Sequence, residues 1–372
     1  MMNNDKNIPN VPTLRFDDFS DNWTISTLGD VCSYRKERRT AEKKYYVSTE
    51  NILQNYQGIE CFDSNEKISG DAFDKNDVLM GNIRPYLKKV CFANFDGVCN
   101  ADVLVFKNKS LNPRYLHCIL ANDSFINYVM SSVKGSKMPR GDKNFIMQYP
   151  LSYPSELEQA KISNFIETLT KRIEVQNKII SKYETLIKGI REKIANSDWK
   201  WIKLDELIKN GVVILNRGNI IPKHAKSDLY QYPVYSSSTQ NNGLMGYNDS
   251  YMFDKELITW SIDGGGNFFY RNKHKFSVTN VCGIMQVDES AYIYRFIAEM
   301  LTYQHSKMKF DYQSKAHPSV ISTLYSLPVV PLAMQSTYCQ LFIATDKIIS
   351  TEKTYLSKLK EQKNYLLSKM FI

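Results

Sequence analysis

Apolar residues recur at alternating spacings of four and three along residues 156–197. This is the a/d pattern of a coiled-coil seam, and no proline interrupts it over more than four heptads. Charged residues fill the positions between, as on a solvated helix face. The pattern predicts one long helix of about 50 Å. Its seam residues are Ile162, Ile166, Leu169, Ile173, Gln176, Ile180, Tyr183, Ile187, Ile190 and Ile194.

A second, less apolar stretch of the same kind covers residues 332–372. Because one coiled-coil strand cannot bury its own seam, we expect the two helices to pair, and an antiparallel pair would place one globular block at each end. Glu352 falls where Gln176 does, and a polar seam residue commonly fixes the register. The alternative is that each helix packs separately on its own block. The second seam contains Tyr338, Phe342, Thr345, Ile349, Glu352, Leu356, Leu359, Lys363, Leu366 and Met370.

The two halves of the chain repeat each other at a constant offset. Trp23 and Trp199 open matching phrases, and Gln159 and Gln335, separated by the same interval, stand just inside the two predicted helices. Landmarks that hold one offset across both halves indicate an internal duplication. We therefore expect an N-terminal extension (1–20), a first globular block (21–155), a central helix (156–197), a second block (198–331) and a C-terminal helix (332–372).

Each globular block has short apolar runs separated by turn residues, and then a segment with helical spacing. In the first block the runs are 77–80, 89–93 and 103–106, with helical spacing over 116–130. In the second they are 257–260, 268–270, 276–279 and 284–287, followed by 294–303. The predicted fold class is α+β: two tandem mixed α/β domains, each followed by a long helix, with the helices paired as an antiparallel coiled coil in a pseudo-twofold dumbbell.

Composition limits the class of protein and the cellular compartment that the sequence is compatible with. Of the 372 residues, 43% are hydrophobic and 23% charged, which is typical of globular domains. No run is long enough for a membrane span, and the polar first ten residues do not resemble a secretory signal. Seven cysteines without a CxxC pair favour a reduced, cytoplasmic setting. The net charge of +9 points to an acidic partner.

Catalytic motifs are missing from the sequence. There is no GxxxxGK[ST] phosphate loop and no Asp/Asn-Pro-Pro-aromatic tetrad of a DNA amino-methyltransferase. The glycine run Asp263–Asn267 precedes a predicted strand, so a turn is favoured over a phosphate site. The five histidines lack metal-ligand spacing. We predict neither a catalytic residue nor a metal, although a nuclease or methyltransferase with an unrecognised site remains an alternative.

Basic residues cluster in loops that also carry glycine, proline and aromatic residues. One such loop covers residues 133–143, with a looser counterpart at 312–318; a second patch pairs 81–89 with 270–275. Such side chains can reach phosphates or base edges. One such loop alone is more often a solvated surface, but their recurrence at matched places of a duplicated chain favours DNA binding. The predicted DNA-binding residues are Arg84, Lys88, Lys89, Lys134, Lys137, Arg140, Lys143, Arg271, Lys273, Lys275, Lys315 and His317.

Several of these phrases resemble the specificity subunits of type I restriction-modification systems. They are Trp-x₄-Leu-Gly-Asp-Val at 23–31, Gly-Asn-Ile-Arg-Pro-Tyr-Leu-Lys-Lys at 81–89, Gly-Ser-Lys-Met-Pro-Arg at 135–140, and Pro…Glu-Gln before the central helix. The resemblance covers about residues 10–371. In the second half, Leu204-Asp-Glu-Leu207 and the loop around Lys315 depart from these patterns.

The resemblance implies a non-catalytic subunit in which each block is a target-recognition domain. Each domain would read one half of a bipartite site in double-stranded DNA, and the helices would set the spacer. The helices would also dock two methyltransferase subunits, and restriction subunits would join them. S-adenosylmethionine, Mg²⁺ and ATP would then belong to these partner subunits, with no membrane involved. A coiled-coil scaffold that binds proteins is the other alternative.

Overall fold

The computed structural model describes residues 11–133, 137–238, 240–263, 265–308 and 315–372. These residues form two compact units. The first contains the described residues up to Asn177 together with Thr354–Ile372, and the second contains Lys178–Lys353. The C-terminal segment thus belongs to the first unit, so the two units interleave along the chain.

In chain order, the described residues form the following helices and strands. The helices are α1 Leu28–Val31, α2 Pro113–Leu120, α3 Asp123–Ser131, α4 Lys143–Met147, α5 Glu156–Ala195, α6 Leu204–Lys209, α7 Tyr294–Lys307, α8 Pro318–Leu324 and α9 Leu332–Met370. The strands of the first unit are β1 Thr24–Thr27, β2 Cys32–Tyr34, β3 Arg38–Glu42, β4 Tyr46–Val47, β5 Lys67–Phe73, β6 Val78–Gly81, β7 Val90–Phe92, β8 Gly97–Cys99, β9 Val103–Asn108 and β10 Pro150–Tyr153. Those of the second are β11 Trp201–Lys203, β12 Val213–Arg217, β13 Tyr232–Tyr235, β14 Leu244–Asn248, β15 Phe253–Asp254, β16 Leu257–Ser261, β17 Phe268–Arg271, β18 Lys275–Val278, β19 Cys282–Val287 and β20 Ser326–Pro328.

A four-stranded antiparallel sheet forms the centre of the first unit, in the order β2-β9-β6-β7. Successive side chains of a strand point to opposite faces. On one face Met80 and Phe106 pack with helices α2 and α3 in a core that also takes in residues of α5 and α9. On the other face Leu79 and Val105 pack against the second sheet, β3-β5-β8-β4. Burial on both faces explains why these strands read as continuous apolar runs.

The second unit repeats the central sheet in the same order, β12-β19-β16-β17. The two-stranded sheets also correspond, because Ile25 pairs with Ser152 in β1-β10 and Trp201 pairs with Pro328 in β11-β20. The interval between these paired positions is the one that separates Trp23 from Trp199 in the sequence repeat. The duplication predicted from the sequence is therefore present in the fold.

The predicted helix over 116–130 is two helices in the structure. α2 ends at Leu120 and α3 begins at Asp123. Between them Asn122 caps α3, because its side-chain oxygen accepts a hydrogen bond from the Ser124 N–H at 3.0 Å. The Asn122 amide also donates to the Leu367 carbonyl at 3.1 Å, which ties the break to the end of α9. Local capping therefore overrides a continuous apolar pattern.

Helices α5 and α9 are as long as the sequence predicted, and they pack together. In the first unit Ile166 and Leu169 share a core with Leu359 and Leu366, and Arg172 donates to the Tyr355 hydroxyl at 2.8 Å. The contacts run in opposite directions along the two helices, so the predicted antiparallel pairing is confirmed.

The seam residues of the second unit follow the same pattern. Ile180, Ile187, Phe342 and Ile349 are buried, and Lys353 pairs with Glu184 at 2.8 Å. Other members of the two predicted seams, in either unit, are also at least partly buried: Gln176 is 5% exposed, and Ile173, Tyr183, Glu352 and Leu356 are of intermediate exposure. Among the described helices, no segment is long and apolar enough to cross a membrane.

Candidate nucleic-acid interface

Two basic loops that are distant in the sequence meet in the first unit. Ile83, just beyond β6, forms an antiparallel bridge with Arg140. The Arg84 N–H donates to the Pro139 carbonyl at 2.8 Å. The sequence placed Arg84 and Arg140 in separate patches, whereas the structure joins them at the carboxyl end of β6.

Asn82 holds the second loop in place. Its side-chain amide donates to the Gly141 carbonyl at 3.2 Å, and its side-chain oxygen accepts from the Gly141 N–H at 3.1 Å. Asn82 is only 5% exposed, so the pair is shielded from water. A side chain at position 141 would bring a Cβ to 2.7 Å from the Val129 side chain. Sequence reasoning gave Asn82 no role; its place within the 81–89 phrase was the available signal.

The loop that carries Arg84 has an uncommon backbone. Arg84 and Lys88 flank a 3₁₀ turn at Pro85–Leu87, and both are left-handed, with φ of 53° and 55°. Such a conformation costs a residue with a side chain on the order of 1 kcal/mol and often occurs at functional sites. Here it directs Arg84 and Tyr86 into solvent, where Tyr86 is 50% exposed.

The other predicted residues of the first unit divide into two groups. Lys137 and Lys143 are exposed, and Arg140 forms an ion pair with Asp102 at 3.0 Å in which the side chains are 46% and 34% exposed. By contrast, Lys88 pairs with Asp123, and the Lys89 ammonium donates to the Thr49 carbonyl. These two lysines therefore make internal contacts. Lys134 lies outside the described residues.

In the second unit a corresponding loop reaches the end of β16. The Ala316 N–H donates to the Ile262 carbonyl at 2.9 Å, and the Trp260 indole N–H donates to the Ala316 carbonyl at 2.7 Å. The neighbouring Lys315 lies 3.7 Å from Asp263, and His317 immediately precedes α8. In both units a loop is therefore hydrogen-bonded to the end of the central sheet. The side chain that holds the loop, called here the clamp, is Asn82 in the first unit and Trp260 in the second. The described residues of the glycine run lie between the end of β16 and the start of β17, as the sequence predicted.

Residues 270–275 do not correspond to residues 81–89. The sequence comparison paired the two patches, but 82–89 connects β6 to β7, whereas Arg271 ends β17 and Lys273 follows it. Because Leu257 pairs with Arg271 and Trp260 with Phe268, Lys273 and Lys275 lie at the opposite end of β16 from Lys315. The basic candidates of this unit therefore do not converge.

Arg271 is buried, contrary to the expectation that it would face DNA. It is 2% exposed, and its guanidinium stacks 3.7 Å from the centroid of the Tyr235 ring. It donates to the Thr259 hydroxyl at 3.0 Å and to the Asn242 carbonyl at 2.8 Å. Burial lowers the pKa of Arg271 to about 10, which still leaves it charged at neutral pH. Its role is to brace the sheet, so it is withdrawn as a DNA contact.

Among the described residues, no group of three or more His, Cys, Asp or Glu is placed to hold a metal ion. The buried thiols are poor nucleophiles, because burial raises the pKa of Cys32, Cys99 and Cys118 to about 12.

A family model for the type I restriction modification DNA specificity domain matches the chain twice, over residues 20–185 and 196–364. The chain belongs to this family. The two matches coincide with the two copies of the central sheet and their long helices.

Curated relatives and solved structures agree with the family match. A putative type I specificity subunit of Mycoplasma pneumoniae is 32% identical over 41% of this chain and 42% of that protein. A second from the same organism is 34% identical over 36% of this chain and 45% of that protein. The chain thus spans under half the length of these two relatives. The crystal structure of a type I restriction-modification S subunit from M. genitalium matches with a TM-score of 0.64 at 16% identity, covering 97% of this chain and 99% of that one, and shows a shared fold.

Proposed function

We propose that this specificity-family chain recognises double-stranded DNA without a catalytic role of its own, and that each unit reads one half of a bipartite site. The observation that carries the proposal is a loop docked at the end of the central sheet in both tandem units, which in the first unit presents several exposed basic residues. In the first unit Arg84, Lys137 and Arg140 project from that position. Exposed arginine and lysine on a fixed frame can bind phosphates and base edges.

The ion pair between Arg140 and Asp102 fits this function. A surface pair of this kind contributes little to stability, about 0–1 kcal/mol. Arg140 is therefore available to exchange Asp102 for a DNA phosphate at small cost. Until DNA binds, the pair holds the side chain near the loop surface.

We further propose that α5 and α9 set the distance between the half-sites and dock two methyltransferase subunits, which restriction subunits join. On this proposal the partner subunits, and not this chain, bind S-adenosylmethionine, Mg²⁺ and ATP, and the complex works in the cytoplasm. The antiparallel packing of the helices within each unit supports the spacer role, because a paired helix is stiff enough to keep a fixed length. A protein-binding scaffold without DNA contacts is the alternative.

The salt dependence of DNA binding tests the proposed interface. The complex with its methyltransferase subunits is titrated with duplex DNA at several salt concentrations. Replacing Arg84, Lys137 or Arg140 by Ala should weaken binding and lower the slope of log K against log salt by about one unit each. Lys273→Ala is the matched control, since Lys273 is also exposed but lies at the other end of its sheet, and its slope should not change.

Asp102→Asn gives a test in the opposite direction. Without the carboxylate, Arg140 keeps its charge and loses its competitor, so affinity for DNA should rise and the slope should steepen. Unchanged slopes in all three alanine variants, together with no gain in Asp102→Asn, would show that this end of the sheet faces solvent. Normal assembly with methyltransferase but no DNA binding by the wild-type complex would favour the scaffold alternative.

A further inference from the structure

A cavity of about 660 Å³ lies inside the first unit, between α2 and the adjoining ends of α5 and α9. Its volume is in the range of small-molecule sites. Apolar surface from Phe92 and Ile166 lines part of it, and the Ser163 and Thr170 hydroxyls line another part. The remainder of the wall is strongly charged. Its basic residues are Lys88, Arg114, Lys171, Lys360 and Lys363.

Lys363 is the unusual member of this wall. It occupies a seam position of α9, and its counterpart in the sequence repeat is the buried Ile187. Lys363 forms no hydrogen bond or ion pair with any described residue. Burial lowers its pKa, and the nearby Cys118 and Glu174 act in the opposite direction. A cation in an apolar seam is destabilising unless an anion accompanies it.

Most nearby acids already have partners. Glu167 accepts ion pairs from Arg114 at 2.7 Å and from Lys171 at 2.8 Å. Asp123 pairs with Lys88 at 2.8 Å. Glu174, the remaining acid of the wall, is exposed. The wall as a whole has five basic side chains and three acidic ones, so it carries an excess of positive charge.

The second unit shows what occupies the same place there. The Asn112 N–H donates to the Gln159 side chain, and the Ile293 N–H donates to the Gln335 side chain, so α2 and α7 begin at equivalent points. Counting along the helices from these points, Cys118 corresponds to Glu299.

Glu299 supplies a buried carboxylate at this junction. It is 4% exposed and is held between two arginines: Arg191 of α5 donates to it at 2.5 Å, and Arg295 of α7 contacts its other oxygen. The first unit has Arg114 in the place of Arg295 but a thiol, Cys118, in the place of the carboxylate. The second unit thus has a buried carboxylate on the short helix, whereas in the first unit Arg114 turns to Glu167 of α5 and no carboxylate stands at the Cys118 position.

We propose that the cavity of the first unit binds a small organic molecule through an oxyanion, a phosphate or a carboxylate, which takes the place that Glu299 fills in the second unit. The anion pairs with Lys363 and Lys360. The Phe92 and Ile166 surface contacts its apolar part. Binding joins α2 to α9 and stabilises the first unit.

Thermal unfolding of the full-length chain with pyrophosphate as the probe tests the site, with sodium chloride at equal ionic strength as the reference. Saturating pyrophosphate should raise the melting temperature by about 5 °C. Lys363→Ile copies the residue found at the matching seam position, and should weaken pyrophosphate binding at least about tenfold. Cys118→Glu copies Glu299, and should raise the melting temperature without ligand and abolish the response. Lys353→Ala, an exposed change on the same helix, is the control and should respond as the wild type does.

Three results would overturn the inference: no shift beyond that of chloride, an unchanged response in Lys363→Ile, or full response in a folded Cys118→Glu chain. Duplex DNA serves as a competitor, because DNA phosphates have the same chemistry. Pyrophosphate binding that DNA leaves unchanged supports a separate small-molecule site. Displacement of pyrophosphate by DNA would assign these lysines to the DNA interface and contradict the inference.

Discussion

The two units share a centre and differ at their edges. Both have the same four-stranded central sheet. Their second sheets also share three strands: in the first unit β8 pairs in parallel with β4 and antiparallel with β5, and in the second unit β18 pairs in parallel with β13 and antiparallel with β15. The fourth strand is added on opposite sides. β3 extends the first unit beside β5, whereas β14 extends the second beside β13.

The comparison shows which parts of the two units are the same, called here the frame, and which parts differ. The matching glutamines make the same hydrogen bonds: Gln159 to Asn112 and Pro154, and Gln335 to Ile293 and Val330. The added strands, the clamps Asn82 and Trp260, and the placement of basic residues all differ. A duplicated frame with divergent edges suits a protein that must present two different reading surfaces.

The largest expected effect concerns the charged junction of the second unit. Glu299→Leu leaves Arg191 and Arg295 without their shared carboxylate, and should destabilise that unit by about 3 kcal/mol. Circular dichroism should show a melting temperature lower by about 6–12 °C. The matched change Cys118→Ala in the first unit removes only a thiol and should cost about 1 kcal/mol. If both variants lost the same free energy of unfolding, the carboxylate of Glu299 would have no special role in the second junction.

The two glutamines should be equivalent in stability. Gln159→Ala and Gln335→Ala each leave a partly buried backbone N–H, that of Asn112 or of Ile293, without its acceptor, at a cost of about 2 kcal/mol. Urea unfolding of the two variants should give losses that agree within about 0.5 kcal/mol. A loss twice as large in one variant would contradict a common frame.

A smaller effect comes from His117, which has no titrating counterpart in the second unit because Ala298 stands there. Burial, with the nearby Lys363 and Arg114, lowers the pKa of His117 to about 3, so the folded state keeps it neutral while the unfolded state takes up a proton below about pH 6.5. Stability is therefore present above pH 6.5 and falls with decreasing pH. Between pH 7 and 6 the loss should be about 0.7 kcal/mol smaller in His117→Asn than in the wild type, measured by urea unfolding at each pH.

The smallest expected effect on stability is that of Arg84→Gly, which distinguishes the backbone strain at this position from the contact of its side chain with DNA. Because its left-handed backbone suits glycine, Arg84→Gly should leave stability unchanged or raise it by about 0.5 kcal/mol. The same variant should lose DNA affinity as Arg84→Ala does. A destabilised Arg84→Gly chain would show that the arginine side chain supports the loop rather than contacts DNA.

How far the sequence predicted the molecule depends on the range of the interactions involved. The seams of α5 and α9 followed from local periodicity and the duplication from a constant offset between matching phrases, and both were confirmed. Long-range packing was beyond sequence reasoning. Arg271 sits in a basic phrase, but the stacking on Tyr235 that buries it depends on a strand distant in the sequence. The convergence of Arg84 with Arg140 likewise depends on Asn82 and Gly141, whose pairing only the fold brings about.

The central claim is that each unit reads its own half of a bipartite DNA site on a common frame. Its most direct test is to replace residues 21–155 with the corresponding block of another family member and assemble the chain with its methyltransferase subunits. Methylated sites are then mapped across a genome. The account predicts that one half-site changes while the other half-site and the spacer between them stay the same. Simultaneous change of both half-sites would contradict it.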